Sequence, residues 1–242
     1  MYSRLIIILV FVAFLFSCKT KKSDPAAEQK QLAEQLYREN LKKLDSLKSI
    51  VKEGDLVTRS SNAWDSEQIK AFQEKDKSYT HAGIAKMVNG RLFIYHIMTE
   101  DSIYKTDYTL LESVDSFLNP KIYTAFGVFR FDLDSSQTTQ VVNYMDDCYK
   151  RKIRFDRVFD NRNDSVMYCS EMIAKAVGKA SNGAIKFTTT PITDRSQINQ
   201  IKRYFRRYHV TEKDIANRPI YAIDDLTTNP ACKTVRRFNF LQ

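Results

Sequence analysis

An Asn89-Gly90 pair stands between two runs of apolar and β-branched residues. This dipeptide suits a tight two-residue turn with positive φ angles, and it is the strongest short-range signal for a β-hairpin. The sequence therefore predicts two antiparallel strands over residues 79–87 and 91–98. Because a hairpin places positions far apart in sequence side by side, it constrains both the sheet and any chemistry carried on it.

Other segments are assigned from the spacing of their apolar residues. Helices are predicted over residues 64–72, 110–118, 135–150, 168–179 and 198–208, and strands over 56–59, 102–108, 122–131 and a segment beginning at Cys232. Strands that come first, with helices mixed in afterwards, indicate an α+β fold rather than an alternating parallel sheet. The length of residues 54–242 suits one compact domain.

The first 18 residues resemble the signal of a bacterial lipoprotein. Arg4 precedes an apolar stretch over residues 5–16, and Ser17 then precedes Cys18. The stretch is shorter than the roughly 18 apolar residues that predict a membrane span. The resemblance implies that residues 1–17 are removed, that Cys18 is lipidated, and that the protein is anchored to a bacterial membrane in the cell envelope, facing the periplasm or the surface. The alternatives, a plain signal peptide or an uncleaved anchor, also export the chain.

Residues 18–26 are polar and contain Pro25, which is typical of a tether. From Ala27 onwards Glu, Lys, Gln and Leu dominate, and apolar residues recur at intervals of three to five. This spacing predicts an amphipathic helix over residues 27–53, either a spacer packed on the domain or a weak coiled coil. Whether it covers a cleft is left open by the sequence.

The chain has a formal net charge of +9, and removal of Arg4 with the signal leaves +8 (9 − 1). Export argues against nucleic acid as a partner. Anionic lipid headgroups, phosphorylated glycans and carboxylate-bearing peptides are the electrostatic partners that remain. The alternative is that the charge lies on solvated helix faces, as in the basic run from Lys202 to Arg207.

Cysteine usage bears on reactivity. Apart from Cys18, the chain contains Cys148, Cys169 and Cys232, an odd number for an oxidising compartment. Cys148 and Cys232 could pair and leave Cys169 free. No pair has the spacing of a zinc or redox site, so neither a metal nor a cofactor is predicted.

Cys169 is predicted to lie in the first turn of a helix. There the helix dipole would lower the thiol pKa, and free backbone N–H groups could stabilise an oxyanion. His81 and His96 are 15 positions apart on the two strands of the hairpin, where they could be neighbours on one face. A thiol, a base and an orienting residue form the set used in nucleophilic catalysis. The alternatives are a small buried cysteine and ordinary surface or core histidines.

Several short motifs together resemble the YiiX/YebB-type group of the NlpC/P60 superfamily, which consists of permuted papain-like proteins related in layout to lecithin retinol acyltransferase. The motifs are Gly54-Asp55-Leu56-Val57, His81-Ala82-Gly83-Ile84, Phe155-Asp156, Phe159-Asp160 and Tyr168-Cys169-Ser170-Glu171.

The resemblance implies a circularly permuted papain-like fold, with an antiparallel sheet or partial barrel packed on the helix that bears the cysteine. It implies Cys169 as nucleophile, His81 as base and a polar third residue, best matched by His96. Many relatives have Glu at that third place, and Thr99 and Glu100 are the fallbacks.

Three further residues are candidates for substrate binding. They are Asp55, Tyr168 and Glu171. Asp55 has the alternative role of capping the turn before its strand, and Glu171 that of favouring the helix N-terminus.

These observations predict an envelope-anchored cysteine peptidase or amidase that cleaves an amide bond, with cell-wall peptides as the leading substrate class. One alternative is an acyl-lipid thioesterase, phospholipase or acyltransferase. The other is a non-catalytic lipoprotein that keeps the fold as a binding module. The oligomeric state is left open.

Overall fold

The computed structural model describes residues 24–100 and 104–241. The predicted signal peptide and Cys18 lie outside this range, so their assignments stay predictions. The helices are α1 Pro25–Lys48, α2 Trp64–Lys70, α3 Val114–Phe117, α4 Ser135–Lys150, α5 Cys169–Ala180, α6 Arg195–Tyr204, α7 Glu212–Ile215 and α8 Ile223–Thr227. The strands are β1 Leu56–Ser60, β2 His81–Val88, β3 Arg91–Ile97, β4 Thr109–Ser113, β5 Ala125–Phe131, β6 Arg154–Phe155, β7 Val166–Met167, β8 Thr190–Pro191, β9 Pro219–Ile220 and β10 Cys232–Asn239.

A six-stranded sheet in the order β10-β5-β1-β2-β3-β4 forms the centre of the fold. All neighbouring strands in it are antiparallel. The predicted hairpin is confirmed: β2 and β3 pair up to Val88 opposite Arg91, and Asn89 and Gly90 have φ angles of 50° and 74°. The α+β class is confirmed with it.

Helices cover both faces of the sheet. On one face α4 and α5 pack against strand residues such as Leu56, Ile84 and Phe129. On the other face Leu44 and Leu47 of α1 and Phe117 of α3 pack in a second buried cluster. A third cluster lies around α6 and α7. Its members include Phe159, Tyr168, Ile198, Ile201, Phe205 and Ile215.

Helix α1 begins two residues before its predicted start, because the Asp24 side chain accepts the Ala26 N–H at 3.0 Å and Pro25 suits the first helical position. Asn40 fixes it to the C-terminus by accepting from the Leu241 N–H and donating to the Leu241 carbonyl. Within residues 24–100 and 104–241, no helix is both long and apolar enough to cross a membrane.

The segment after residue 100 differs from prediction. Residues 110–113 belong to β4, and only Val114–Phe117 is helical, capped by the Ser113 hydroxyl. The exposed edge of β3 explains the error, because pairing with it satisfies the β4 backbone and overrides local periodicity. Residues 102 and 103 of the predicted strand over 102–108 lie outside the described residues, and Tyr108 forms an isolated bridge with Arg154.

The basic segment near residue 200 also shifts along the chain. Helix α6 begins at Arg195, three residues before its predicted start, because Asp194 accepts the N–H groups of Ser196 and Gln197. The α-helix ends at Tyr204, and Arg206–Tyr208 forms a 3-10 helix.

Candidate active site

A cavity of about 340 Å³ lies where the N-terminus of α5 meets the ends of β1 and β2. Cys169 and His81 both line it. The third hydrophobic cluster supplies much of its wall, through residues that include Phe155, Phe159, Ile201 and Phe205. The cavity is therefore mostly apolar, with the thiol and imidazole among its polar groups.

Cys169 is the first residue of α5 and is partly exposed. The backbone N–H of Ala82, the residue after His81, lies near its sulfur and acts to lower the thiol pKa. Burial nevertheless raises the pKa of the Cys169 thiol, with the N–H groups of Ala82 and Ser170 acting in the opposite direction. The expected lowering of the thiol pKa is thus corrected: desolvation outweighs the polar groups at the helix N-terminus.

The two hairpin histidines are in contact. His81 Nε2 lies 3.1 Å from His96 Nδ1, and both residues are buried. Gly83 permits the close approach of β2 to β3 on which this contact depends. A Cβ at Gly83 would clash with Ile94 Cγ2 and would lie 2.5 Å from the Tyr95 carbonyl oxygen.

Glu112 on β4 extends this contact into a chain. Its Oε2 lies 3.1 Å from His96 Nε2, although the N–H direction departs from that of a regular hydrogen bond. The Tyr104 hydroxyl donates to the same oxygen at 2.8 Å. Sequence reasoning missed Glu112 because it assigned residues 110–118 to a helix. One signal could have indicated it: many members of the family that the sequence resembles have Glu as the third catalytic residue.

The protonation states of this chain follow from its surroundings. Burial lowers the pKa of His96 to about 4, despite Glu112, and burial with the nearby positive Arg59 lowers that of His81 well below its usual value. Burial would raise the pKa of Glu112, but His96, Tyr104 and Arg59 together lower it. At neutral pH, both imidazoles are therefore neutral and Glu112 is a carboxylate.

These states fix the tautomers. A carboxylate only accepts hydrogen bonds, so the proton of His96 lies on Nε2, towards Glu112, and Nδ1 becomes an acceptor. His81 must then donate from Nε2 to that atom. The Nδ1 of His81 is left with a free lone pair, as a general base requires.

Arg59 lies beneath the histidines and is 1% exposed. Its Nη1 donates to the Phe117 carbonyl at 2.7 Å, and its Nη2 donates to the Tyr104 hydroxyl at 3.1 Å. The guanidinium also lies 4.1 Å from the ring centres of both Phe117 and Tyr123. A buried cation in this position opposes protonation of His81 and His96.

The two fallback residues take no part in this chain. Thr99 lines the cavity, but its hydroxyl lies 3.2 Å from that of Tyr204. Glu100 is exposed and lies 4.0 Å from Arg207. The structure therefore brings His96, rather than either of these residues, to His81.

The proposed substrate-binding residues lie in three different settings. Tyr168 lines the cavity, and its hydroxyl accepts the Tyr221 N–H at 2.8 Å. Glu171 is fully buried behind the cavity, bonded to the Tyr168 N–H and Lys175, and burial raises its pKa to about 7. Asp55 lies before the opposite end of β1, in a bidentate ion pair with Arg130. The position of Asp55 therefore agrees with its alternative role, which is to cap the turn before β1.

Cys148, Cys169 and Cys232 are all free thiols, so the structure does not contain the Cys148–Cys232 pair considered from the sequence. Burial raises the pKa of Cys148 to about 11 and that of Cys232 to about 12. Cys169 differs from both because it opens onto a cavity beside an imidazole.

Fold and site together define an α+β protein whose antiparallel sheet carries a histidine pair beside a cysteine at a helix N-terminus. No family model matches the chain, and no curated protein does. Among solved structures, the chain is similar to the metalloprotein yiiX from Escherichia coli O157:H7, DUF1105, with a TM-score of 0.59 and 16% identity. The similarity covers 77% of this chain and 97% of that one. The chain therefore has a YiiX-like fold.

The description of that neighbour as a metalloprotein raises the question of a metal here. Within residues 24–100 and 104–241, no three His, Cys, Asp or Glu side chains are grouped as metal ligands. His81 Nε2 and both ring nitrogens of His96 are directed at each other and at Glu112. The described residues do not fit a metal, and none enters the chemistry proposed below.

Proposed function

We propose that this protein is a cysteine hydrolase of the permuted papain-like kind, with Cys169 as nucleophile and His81 as general base. The observation that carries the proposal is the chain from His81 through His96 to Glu112, which leaves the lone pair of His81 Nδ1 free in the cavity that Cys169 lines. The order of elements supports the permuted layout, because the histidine hairpin β2–β3 precedes the cysteine helix α5.

The reaction begins from a neutral pair. His81 Nδ1 accepts the thiol proton as the Cys169 sulfur attacks a carbonyl carbon, and the imidazolium is stabilised through His96 by Glu112. The first N–H groups of α5 have no partner within the helix, and they are suited to stabilise the tetrahedral oxyanion. Collapse expels the leaving group, which takes the proton from His81. Water activated by His81 then releases the acyl group and restores the thiol.

The apolar wall of the cavity favours an acyl chain as the group transferred to Cys169. Apolar pockets bind by burying apolar surface, and Phe72, Phe155 and Phe205 offer such surface within the same cavity. A cell-wall peptide carries more polar groups, which this wall would leave without partners. The acyl-lipid alternative is therefore the better supported substrate class, while cell-wall peptides rest on the family resemblance.

Membrane anchoring through Cys18 completes the proposal. It is supported by the lipoprotein-like sequence of residues 1–18. Labelling cells with an alkyne-bearing fatty acid should mark the wild-type protein and leave Cys18→Ala unmarked. Equal labelling of both proteins would contradict the assignment.

The function is tested with acyl thioesters of increasing chain length, and in parallel with purified peptidoglycan. We expect thioester hydrolysis that rises with chain length, together with an acyl adduct on Cys169 in the intact mass. Cys148→Ala is the matched control, because it removes a buried thiol remote from the cavity. Release of peptides from peptidoglycan without thioester hydrolysis would favour the amidase. Hydrolysis unchanged in Cys169→Ala would exclude Cys169 as the nucleophile, and no hydrolysis of either substrate by the wild type would favour the non-catalytic binding module.

A further inference from the structure

The rim of the cavity combines exposed apolar side chains with cations. Trp64, at the start of α2, is 52% exposed, and Ile122, which lines the cavity, is 37% exposed. The Trp64 indole stacks on the ring of Tyr204, with 6.4 Å between centroids and 23° between planes. Tyr204 also lines the cavity, so the exposed indole belongs to its mouth.

Basic side chains flank this mouth. On α6, Arg203 lies one turn after Gln200, which lines the cavity. Arg207 lies in the 3-10 helix after α6 and donates to the carbonyl of Glu100, the residue that follows the cavity-lining Thr99. Both arginines are exposed. Lys202, which is partly exposed, and Arg206, which is exposed, add to the positive charge of the same segment. We call Trp64, Ile122, Tyr204, Arg203 and Arg207 the mouth patch.

The charge of this segment is largely uncompensated. Arg207 donates to the Glu100 carbonyl at 2.7 Å and lies 4.0 Å from the Glu100 carboxylate. Among the side chains that the structure describes, Lys202, Arg203 and Arg206 form no ion pair with a carboxylate. The helix itself is fixed, because Ile198, Ile201 and Phe205 are buried in the third cluster. The basic side chains are therefore carried by a helix that is packed against the domain.

We propose that the mouth patch docks the domain on the surface of an anionic lipid bilayer, with the cavity opening towards the lipid. Trp and Tyr favour the boundary between headgroups and acyl chains, and Arg side chains bind anionic headgroups. The charge of the patch is complementary to such a surface, and its apolar members adjoin an apolar cavity. Docking is a property of the surface and does not require hydrolysis.

The experiment uses the fluorescence of the full chain, because Trp64 is its only tryptophan. Vesicles of phosphatidylglycerol and phosphatidylethanolamine should shift the Trp64 emission to the blue, and lipids brominated in the acyl chain should quench it. Vesicles of phosphatidylcholine alone should have a much weaker effect. Cys169→Ala should behave like the wild type, so the docking and hydrolase proposals fail separately.

Charge reversal supplies the matched comparison. Arg203→Glu with Arg207→Glu should weaken the vesicle response by at least about tenfold. Lys179→Glu with Lys233→Glu makes the same change in net charge at the far end of α5 and at an exposed position on β10, and should have little effect. Circular dichroism checks that both variants are folded.

Four results would overturn the proposal. The first is vesicle binding without a change in Trp64 emission, as the N-terminal segment alone would give. The second is no binding at all. The third is an equal loss in both charge-reversed variants, which indicates general electrostatic attraction. The last is a blue shift that depends on protein concentration without vesicles, which indicates that a second copy occupies the patch.

Discussion

Strand β1 has a buried charge at each end, and the two charges are held differently. Before the strand, Asp55 accepts two hydrogen bonds of 2.7 Å from Arg130 and one of 2.7 Å from the Lys52 N–H. Near its other end, Arg59 has no partner for Nε among the described residues, and its nearest charged oxygen, on Glu112, is 3.8 Å away.

The difference distinguishes the charge of Asp55, which serves the fold, from that of Arg59, which acts on neighbouring titratable groups. A buried ion pair with all its hydrogen bonds satisfied fixes the position of a strand and exerts little field beyond itself. The positive field of Arg59 is less fully compensated, and it acts on His81 and His96 by opposing their protonation. The Asp55 end of β1 therefore supports the fold, and the Arg59 end influences the protonation of the histidines in the candidate site.

The largest effect is expected at the Arg59 end. Cys169→Ala should lower thioester hydrolysis by about a thousandfold or more, because no other thiol opens beside His81 among the described residues. Chemical unfolding should show little change in stability. Cys232→Ala is the control, and a similar loss of activity in that variant would remove the distinction between the thiols.

At the other end, Asp55→Ala should lower the free energy of unfolding by about 2 kcal/mol, since it leaves Arg130 without its carboxylate. The value lies below that for a fully buried pair because the Arg130 side chain is 37% exposed. Urea denaturation measures the change. At urea concentrations below the unfolding transition, Cys169 of the Asp55→Ala variant should be alkylated at the wild-type rate. A slower rate would show that the two ends of β1 are coupled.

Glu112 tests whether the Arg59 end acts through the histidines. Glu112→Gln should lower kcat/KM by about tenfold to a hundredfold, less than the full contribution of a general base. Gln retains the size of Glu but gives His96 no negative charge. The pH profile of kcat/KM should change shape, and Glu112→Asp should restore part of the rate. An unchanged pH profile would assign Glu112 a purely structural role.

The smallest effect is on the pH dependence of stability. Since the folded pKa of His96 is about 4 against 6.5 in the unfolded chain, only the unfolded chain binds this proton between those values. Stability is therefore lost as pH falls from 6.5 towards 4, by about 1 to 2 kcal/mol at pH 5 from this residue. His96→Gln should lack this component.

Wild type and His96→Gln are compared at pH 7 and pH 5 by chemical unfolding. Glu171, with its pKa raised to about 7, makes a contribution of opposite sign, since it loses stability as pH rises from 4.5. That contribution is common to both proteins and cancels in the comparison. Parallel pH profiles for the two proteins would mean that His96 is not held neutral.

Local sequence signals determined much of the fold. The Asn89-Gly90 turn requires positive φ, which few other dipeptides adopt, so the hairpin and the proximity of His81 and His96 on one face were predictable. Helix α4 was predicted over its full range, 135–150, and α5 within one residue at each end, because each has a regular apolar stripe. These features depend on neighbours in sequence.

Other features depend on contacts between distant segments. Apolar and polar residues alternate in β4 over too few positions to distinguish a strand from a helix. Pairing with the open edge of β3 makes this segment a strand, and Glu112 was missed for that reason. The raised pKa of Cys169 reflects burial against β2 and the hydrophobic cluster of α4 and α5, whereas the sequence showed only a helix N-terminus. The sequence alone thus predicted Cys169, His81 and His96 as the groups of the proposed site. The tertiary structure decided the protonation states of these groups, the addition of Glu112 to them and the apolar character of the cavity. The reason is that desolvation and strand pairing arise only when distant segments meet.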